Sequence, residues 1–408
     1  MAHDFDLLIV GGGMVGASLA CALGNSPLRV GVVESHPAQT EWPEESYDIR
    51  VSAITRATEK VFQMVGAWDG MVSRRITPYA AMQVWDATGS GSIGFDCADL
   101  GEKNLGYIIE NRVILAALLE RMSEFGNIEL FCPTQVSALQ RDETAATLTL
   151  DDGRSFTSSL IVGADGANSW VREQAGITTT GWPYEQTAVV ATIKTAQHHK
   201  GVAYQRFMPE GPLAFLPMPG GLSSIVWSTT PERAAELSEM EEGQFLAQLQ
   251  QAFGDKLGEM ESTGPRGAFP LLLRHANRYS DERLVLVGNA AHAIHPLAGQ
   301  GLNLGVSDIA ALAEVLLAAY AEKQGIGELS VLRRYERWRK ADNVTVMAAM
   351  DGFKRLFSND IVALKLVRNL GLTLADNAGP AKNMMMRRAL GLSGDLPRLS
   401  RGIDLGSF

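Results

Sequence analysis

Three glycines with the spacing Gly11-x-Gly13-x-x-Gly16 follow an apolar run, DFDLLIV (4–10), and open a stretch with apolar residues at helical spacing. A second apolar run, LRVGVVES (28–35), contains Glu34, 18 residues past Gly16. Strand, tight turn, helix and strand in that order begin a parallel, doubly wound sheet. Glycines there allow the sharp turn, the approach of a pyrophosphate and close packing of helix on strand. The helix N-terminus favours the negative charge. Glu34 can accept a hydrogen bond from a ribose hydroxyl. The unit predicts dinucleotide binding and does not by itself separate FAD from NAD.

The rest of the chain divides by texture. Residues 48–72 and 110–125 read as helical, and 128–166 as a strand, a hairpin strand and a further buried strand. From about 180 to 276, strand-like runs are broken by Gly/Pro turns, and 83–96 looks like a hairpin of the same kind. These segments predict a second domain on an antiparallel sheet, inserted into the first. RLVLVGNAA (283–291) returns to the parallel-sheet style, before a long helix at 302–324 and a helical tail to about 392.

Two further glycine-bearing turns stand out. LIVGADGANSWVRE (160–173) is a buried strand ending in Ala164-Asp165-Gly166; alone it reads as readily as a helix cap. VLVGNAAHAIHPLAGQGLN (285–303) again runs from apolar strand through glycines into a helix. Gly299, Gly301 and Gly305 each cost a helix about 1 kcal/mol relative to alanine. A helix start needs no such set, so something must come close to that backbone.

Bulk properties set limits. With 408 residues, net charge −10, pI about 5.3 and 20% charged residues, the chain is an ordinary soluble protein and no nucleic-acid binder. Residues 340–408 carry ten Lys/Arg against six Asp/Glu, a basic tail on an acidic body. Cys21, Cys97 and Cys132 form neither a disulfide framework nor a metal-site spacing, which fits a reducing compartment. Leu7–Gly24 is uncharged, but it holds closely spaced glycines and follows Asp4 and Asp6, so it is neither a membrane span nor a signal peptide. The expected location is cytoplasmic.

Taken together, Gly11–Glu34, Asp165-Gly166 and Gly288–Asp308 resemble the three fingerprints of the class A flavoprotein monooxygenases, the para-hydroxybenzoate-hydroxylase type. His295-Pro-Leu-Ala-Gly-Gln-Gly-Leu-Asn-Leu-Gly-Val-Ser-Asp308 is similar to the narrower signature of the ubiquinone-biosynthesis hydroxylases. Asp48–Ile54, Glu110-Asn111 and Arg333–Arg337 resemble that subfamily too. The resemblance covers nearly the whole chain. It implies an α/β fold with a discontinuous Rossmann-like FAD-binding domain (1–72, 101–179, 277–340), an inserted antiparallel β-sheet substrate domain (73–100, 180–276) and a helical C-terminal region (341–408). The cofactor-binding positions it implies also include Arg50, Asn111, Arg112, Pro296, Gln300 and Leu302. Gly299–Asn303 would lie against the isoalloxazine ring, with Pro296 fixing the approach and Arg50 beside the flavin. One departure is Gly288-Asn289, where the fingerprint usually has Gly-Asp; an amide oxygen still accepts a hydrogen bond, without charge.

The implied chemistry is that NAD(P)H or another electron donor reduces FAD, and O2 adds at C4a to give a hydroperoxide that hydroxylates a polyprenylated phenol. Only one Gly-x-Gly-x-x-Gly is visible, so the nicotinamide has no Rossmann site of its own. Candidate catalytic residues are His292, His295 and Arg50, with Tyr184 and Tyr204 as weaker ones. PLAFLPMP and SSIVWS suit either a substrate-pocket wall or ordinary sheet core. The tail segments 346–357, 361–375 and 383–392 mix apolar faces with Lys/Arg and Met. They suit helices packed on the FAD domain or another subunit, or contact with the inner face of a membrane or with other ubiquinone-biosynthesis proteins. Rival readings are another flavin aromatic hydroxylase, an isoprenoid-lipid reductase, or a flavin-binding subunit without catalysis. A halogenase is excluded by the lack of a Trp-x-Trp-x-Ile-Pro stretch.

Overall fold

The computed structural model describes residues 3–294, 299–357 and 379–406. The first apolar run forms the strand Phe5–Val10, which pairs in parallel with Val30–Val33 on one side and Ser155–Gly163 on the other. Ile128–Phe131 and Leu284–Leu286 extend the parallel sheet at its two sides. Leu7, Leu8 and Ile9 are wholly buried, because both faces are covered. Met14–Ala22 and Asn111–Ser123 pack on this sheet, and the long helix Gln300–Ala321 lies against Met14–Ala22. Gln300–Ala321 is long and apolar enough to cross a membrane, yet 72% of its most apolar window is buried inside the protein.

A second, mostly antiparallel sheet has nine strands, Thr179–Thr195 being the longest. Its central order is Gly267–Ala276, Thr179–Thr195, Ser223–Thr229, Gly211–Pro217, Val202–Met208, Ala81–Asp86 and Ser92–Asp96. A small third sheet pairs Val51–Thr55 and Thr77–Tyr79 with Gly106–Glu110.

Three readings need correction. The segment 48–72 is not helical throughout. Val51–Thr55 is a strand, drawn into pairing with Gly106–Glu110, before the helices Arg56–Met64 and Trp68–Arg74. The single strand read over 128–140 is two, Ile128–Phe131 and Val136–Arg141, separated at Cys132-Pro133, where proline has no N–H for a ladder. The 180–276 region also holds two helices, Pro231–Glu239 and Glu242–Phe253. Each has its own start signal: Thr230 accepts from Arg233 N–H with Pro231 next, and Glu241 accepts from Gly243 and Gln244 N–H. They bury Leu237, Phe245, Leu249 and Phe253 against one face of the nine-stranded sheet. Each side chain contributes about 1.5–3 kcal/mol of apolar burial.

The tail is helical at Leu329–Phe357 and Gly379–Ala389. Met347 packs against Tyr184, Leu271 and Leu273, and Met386 against Leu100 and Leu105, while Met384 and Met385 are exposed. The segment 361–375 lies outside the described residues.

Candidate active site

Two turns converge where Phe5–Val10 ends. A Cβ on Gly11 would sit 2.5 Å from the Ala164 carbonyl oxygen, and one on Gly16 only 1.9 Å from the Gly11 carbonyl oxygen. These two glycines answer to the protein's own packing. Gly13, at the N-cap of Met14–Ala22, has no atom of the described residues within 4 Å of an added Cβ. Gly166, with φ +83°, is the same. Glu34 is fixed beside them: its Oε2 accepts from Gly12 N–H at 2.7 Å and its Oε1 from His36 N–H at 2.9 Å.

Asp165 accepts from Val171 N–H at 3.0 Å through Oδ2. Its Oδ1 is buried without a partner among the described residues, and burial pushes its carboxyl up. The cap of the helix that follows is Ser169 rather than Asp165, since Ser169 Oγ accepts from Arg172 N–H at 3.0 Å. Asn111 accepts from Ser52 Oγ at 2.7 Å. Arg112 donates to Ser46 Oγ at 3.1 Å and lies 4.6 Å from the centre of the Trp42 ring. It shares the buried Glu110 carboxylate with Arg75, at 3.3 and 2.7 Å. Arg50 is exposed, its guanidinium 5.3 Å from the centre of the Phe269 ring.

The glycines at the head of Gln300–Ala321 have separate causes. Gly299 (φ +63°) bears on Ala53, 2.8 Å from an added Cβ, and Gly305 bears on Val15 at the same distance. Gly288 (φ +56°) also packs on Val15. Only Gly301 has no atom of the described residues within 4 Å. Asn303 uses its whole amide inside the protein: Oδ1 accepts from Thr55 N–H at 3.0 Å, and Nδ2 donates to the Ala53 and Gly299 carbonyls at 2.8 and 2.9 Å. Leu302 packs against the core, Gln300 is half-buried, and Asn289 is exposed. His295 and Pro296 lie outside the described residues.

His292 is 1% exposed, and its Nε2 meets Asp308 Oδ2 at 2.5 Å. Asp308 also accepts from Gly288 N–H, Arg339 Nε and Asn343 Nδ2 at 3.2, 3.0 and 3.0 Å. Burial pushes the Asp308 carboxyl up, but His292, Arg339 and these hydrogen bonds more than offset it and hold it at about 2. This cluster ties the turn after Leu284–Leu286 to two helices. His292 therefore sits in an internal hydrogen-bonded network around the Arg339–Asp308 ion pair and is buried, in contrast to its expected catalytic place.

A cavity of about 110 Å³ lies between the nine-stranded sheet and the small sheet, with Gly299 in its wall. Side chains alternate across a strand. Pro212, Ala214 and Leu216 thus line the cavity, while Leu213 and Phe215 pack on the two outer helices. Val226 and Ser228 alternate in the same way with Ile225 and Trp227. One face of PLAFLPMP and SSIVWS is thus ordinary sheet core, and the other lines the cavity. Tyr204 packs edge-on to Trp85 and Phe253 of the outer layer, at 6.4 and 6.1 Å, and also borders the cavity. Tyr184 packs with Met347 on the inner face, outside the cavity lining. Tyr79, Met82 and Gln205 complete a polar-spotted lining that the amino-acid pattern did not reveal. Burial pushes the Tyr79 phenol up to about 12, so it stays protonated at neutral pH.

The profile of the family described as "FAD binding domain" matches residues 4–349. The ubiquinone hydroxylase UbiL of Rhodospirillum rubrum is 40% identical, over 98% of this chain and 93% of its own. The 3-demethoxyubiquinol 3-hydroxylase of Escherichia coli is 38% identical, over 95% and 98%. Among solved structures, p-nitrophenol 4-monooxygenase PnpA of Pseudomonas putida shares the fold with a TM-score of 0.78 at 20% identity, over 96% of this chain and 99% of its own. The chain belongs to the FAD-binding-domain family and, within it, to the FAD-dependent hydroxylases of ubiquinone biosynthesis.

Proposed function

We propose that this chain hydroxylates the ring of a polyprenylated phenol on the route to ubiquinone, using FAD, O2 and NAD(P)H or another reduced donor. The observation that carries the reading is the placement of a cavity of about 110 Å³ against Gly299, at the head of the helix where an added Cβ on Gly301 meets no described atom within 4 Å. An apolar cavity of about 150 Å³ accommodates benzene, so the space here, about 110 Å³, takes one ring only with small shifts of its side chains and leaves a prenyl chain to run out of it.

The residues fit FAD. Gly13, Gly166 and Gly301 leave room that a Cβ would fill, Glu34 presents carboxylate oxygens beside the first turn, and Asp165 Oδ1 is a buried acceptor in need of a donor. Bound FAD supplies the two-electron chemistry and the activation of oxygen. The protein's part is placement. Glu34 accepts from a ribose hydroxyl, and Gly13 opens the head of Met14–Ala22 to a pyrophosphate. The head of Gln300–Ala321 favours negative charge on a ring beside it by about 0.3–1 kcal/mol, more when partly buried. Val226, Ala214, Leu216 and Met82 keep water from the ring to be hydroxylated. Arg50, Asn111, Arg112 and Asn289 are the further cofactor contacts in this reading. The FAD-binding, substrate and C-terminal divisions at 1–72, 101–179 and 277–340, at 73–100 and 180–276, and at 341–408 belong to it as well. So do a homo-oligomer and a peripheral membrane or partner contact, supported by exposed Met384 and Met385 beside Arg387 and Arg388.

The test is isotopic. The FAD-loaded protein, given a short-chain 2-prenylphenol, NADPH and ¹⁸O2, should yield a ring-hydroxylated product carrying one ¹⁸O atom. Oxygen consumption that ends only in hydrogen peroxide, with every prenylphenol tried, contradicts the reading.

A further inference from the structure

The cavity holds two polar side chains that the protein itself does not use. Ser228 is 1% exposed, and its hydroxyl is buried without a hydrogen-bond partner among the described residues. A buried hydroxyl without a partner is unfavourable, and a ligand that supplies one recovers the loss. Gln205, 6% exposed, lines the same space, and no hydrogen bond or ion pair of its side chain occurs among the described residues. The two lie on the same face of the sheet. Ser228 is on the strand Ser223–Thr229, and Gln205 is two strands away on Val202–Met208, opposite Ala214. Around them, apart from the rings of Tyr79 and Tyr204, the wall is apolar: Pro212, Ala214, Val226, Met82 and Ile108.

We propose that Ser228 and Gln205 are the specificity-determining residues of this site, hydrogen-bonding oxygen substituents on the substrate ring and so fixing which ring carbon faces the flavin. The proposal rests on the hydroxylase reading above. Strand spacing puts their Cα atoms about 12 Å apart, wide enough for one ring to lie between two hydrogen-bonding side chains. The Ser228 hydroxyl can both donate and accept, and so can the Gln205 amide, so the pair can engage a phenol hydroxyl or a methoxy oxygen. A ring without oxygen leaves both groups buried and unpaired, which is the strongest basis a pocket has for rejecting an analogue. Neither group is a base at neutral pH, so their role is positioning rather than proton removal.

The experiment measures discrimination. FAD-loaded wild type, Ser228→Ala and Gln205→Leu are titrated with 2-prenylphenol and with prenylbenzene, following the flavin absorbance change. Wild type should prefer the phenol by about tenfold or more. Each variant should lose most of that preference while binding prenylbenzene no more weakly than wild type. Gln205→Leu should also spread hydroxylation over more than one ring position. FAD content at the wild-type level shows that a variant is folded, and Ser228→Thr, which keeps the hydroxyl, should restore discrimination. Unchanged preference and a single product position in both variants overturn the assignment while leaving the hydroxylase reading intact. If wild type binds neither probe and hydroxylates no phenol, the hydroxylase reading fails and this proposal falls with it. Ala214→Phe, which fills the cavity, serves as the control for where the ring sits. If it leaves phenol binding untouched, the ring lies elsewhere and the proposal is overturned.

Discussion

Asp308→Asn should destabilise the folded chain by about 3–5 kcal/mol, the range for breaking a buried ion pair by removing one partner. Asp308 is wholly buried and is the shared acceptor for His292, Arg339, Asn343 and the Gly288 N–H. Neutralising it leaves the Arg339 guanidinium, 2% exposed, with Asp342 as its one charged partner among the described residues. The effect depends on pH with a defined sign. The Asp308 carboxyl is held at about 2, below its ordinary value of 3.8, so its ionised form favours the folded state. That contribution is complete above about pH 4 and disappears as the pH falls towards 2. Denaturant unfolding of both proteins should therefore show a gap at pH 7 that narrows between pH 4 and 2. A gap below about 1 kcal/mol at pH 7 means that the cluster carries no such energy.

The second large effect separates glycines that serve the fold from glycines that serve the cofactor. Gly16→Val and Gly305→Val force side chains into the Gly11 carbonyl and Val15, and should cost at least about 1–3 kcal/mol of stability as overpacking. An added Cβ on Gly13 or Gly301 meets no described atom within 4 Å, and neither residue has positive φ, so Gly13→Val and Gly301→Val start from open positions. Their apoproteins should keep stability to within about 1–2 kcal/mol. They should nonetheless bind FAD at least about 100-fold more weakly, close to 2.8 kcal/mol. Thermal melts of the apoproteins and flavin-fluorescence titrations read the two effects separately. Equal losses of stability in all four would erase the distinction.

The amino-acid pattern carries the fingerprints because their causes are local. Gly11, Gly13, Gly16 and Glu34 lie within one strand–turn–helix–strand unit, and the structure places them at one corner. The head of the long helix is legible for the same reason, yet the cause of its glycines is not. Gly299 and Gly305 respond to Ala53 and Val15, which are distant in the chain, and only Gly301 is left facing open space. The burial of His292 is not legible because its partner Asp308 is held in turn by Arg339, 31 residues further along, a pairing that spacing cannot show. The Val51–Thr55 strand exists through its pairing with Gly106–Glu110, so local propensity could not identify it. The cavity was hidden by symmetry. Both faces of Gly211–Pro217 are apolar, and the packing of the two helices on one face shows which is left to line the cavity.

The most direct measurement is a crystal structure of the chain with FAD bound. The adenosine ribose should lie against Glu34, and the flavin ring should touch the Gly301 main chain at about 4 Å with its reactive edge opening on the cavity lined by Ser228 and Val226. A ring bound away from Gly301, or turned so that the cavity opens onto something else, would contradict the placement from which the proposed function follows.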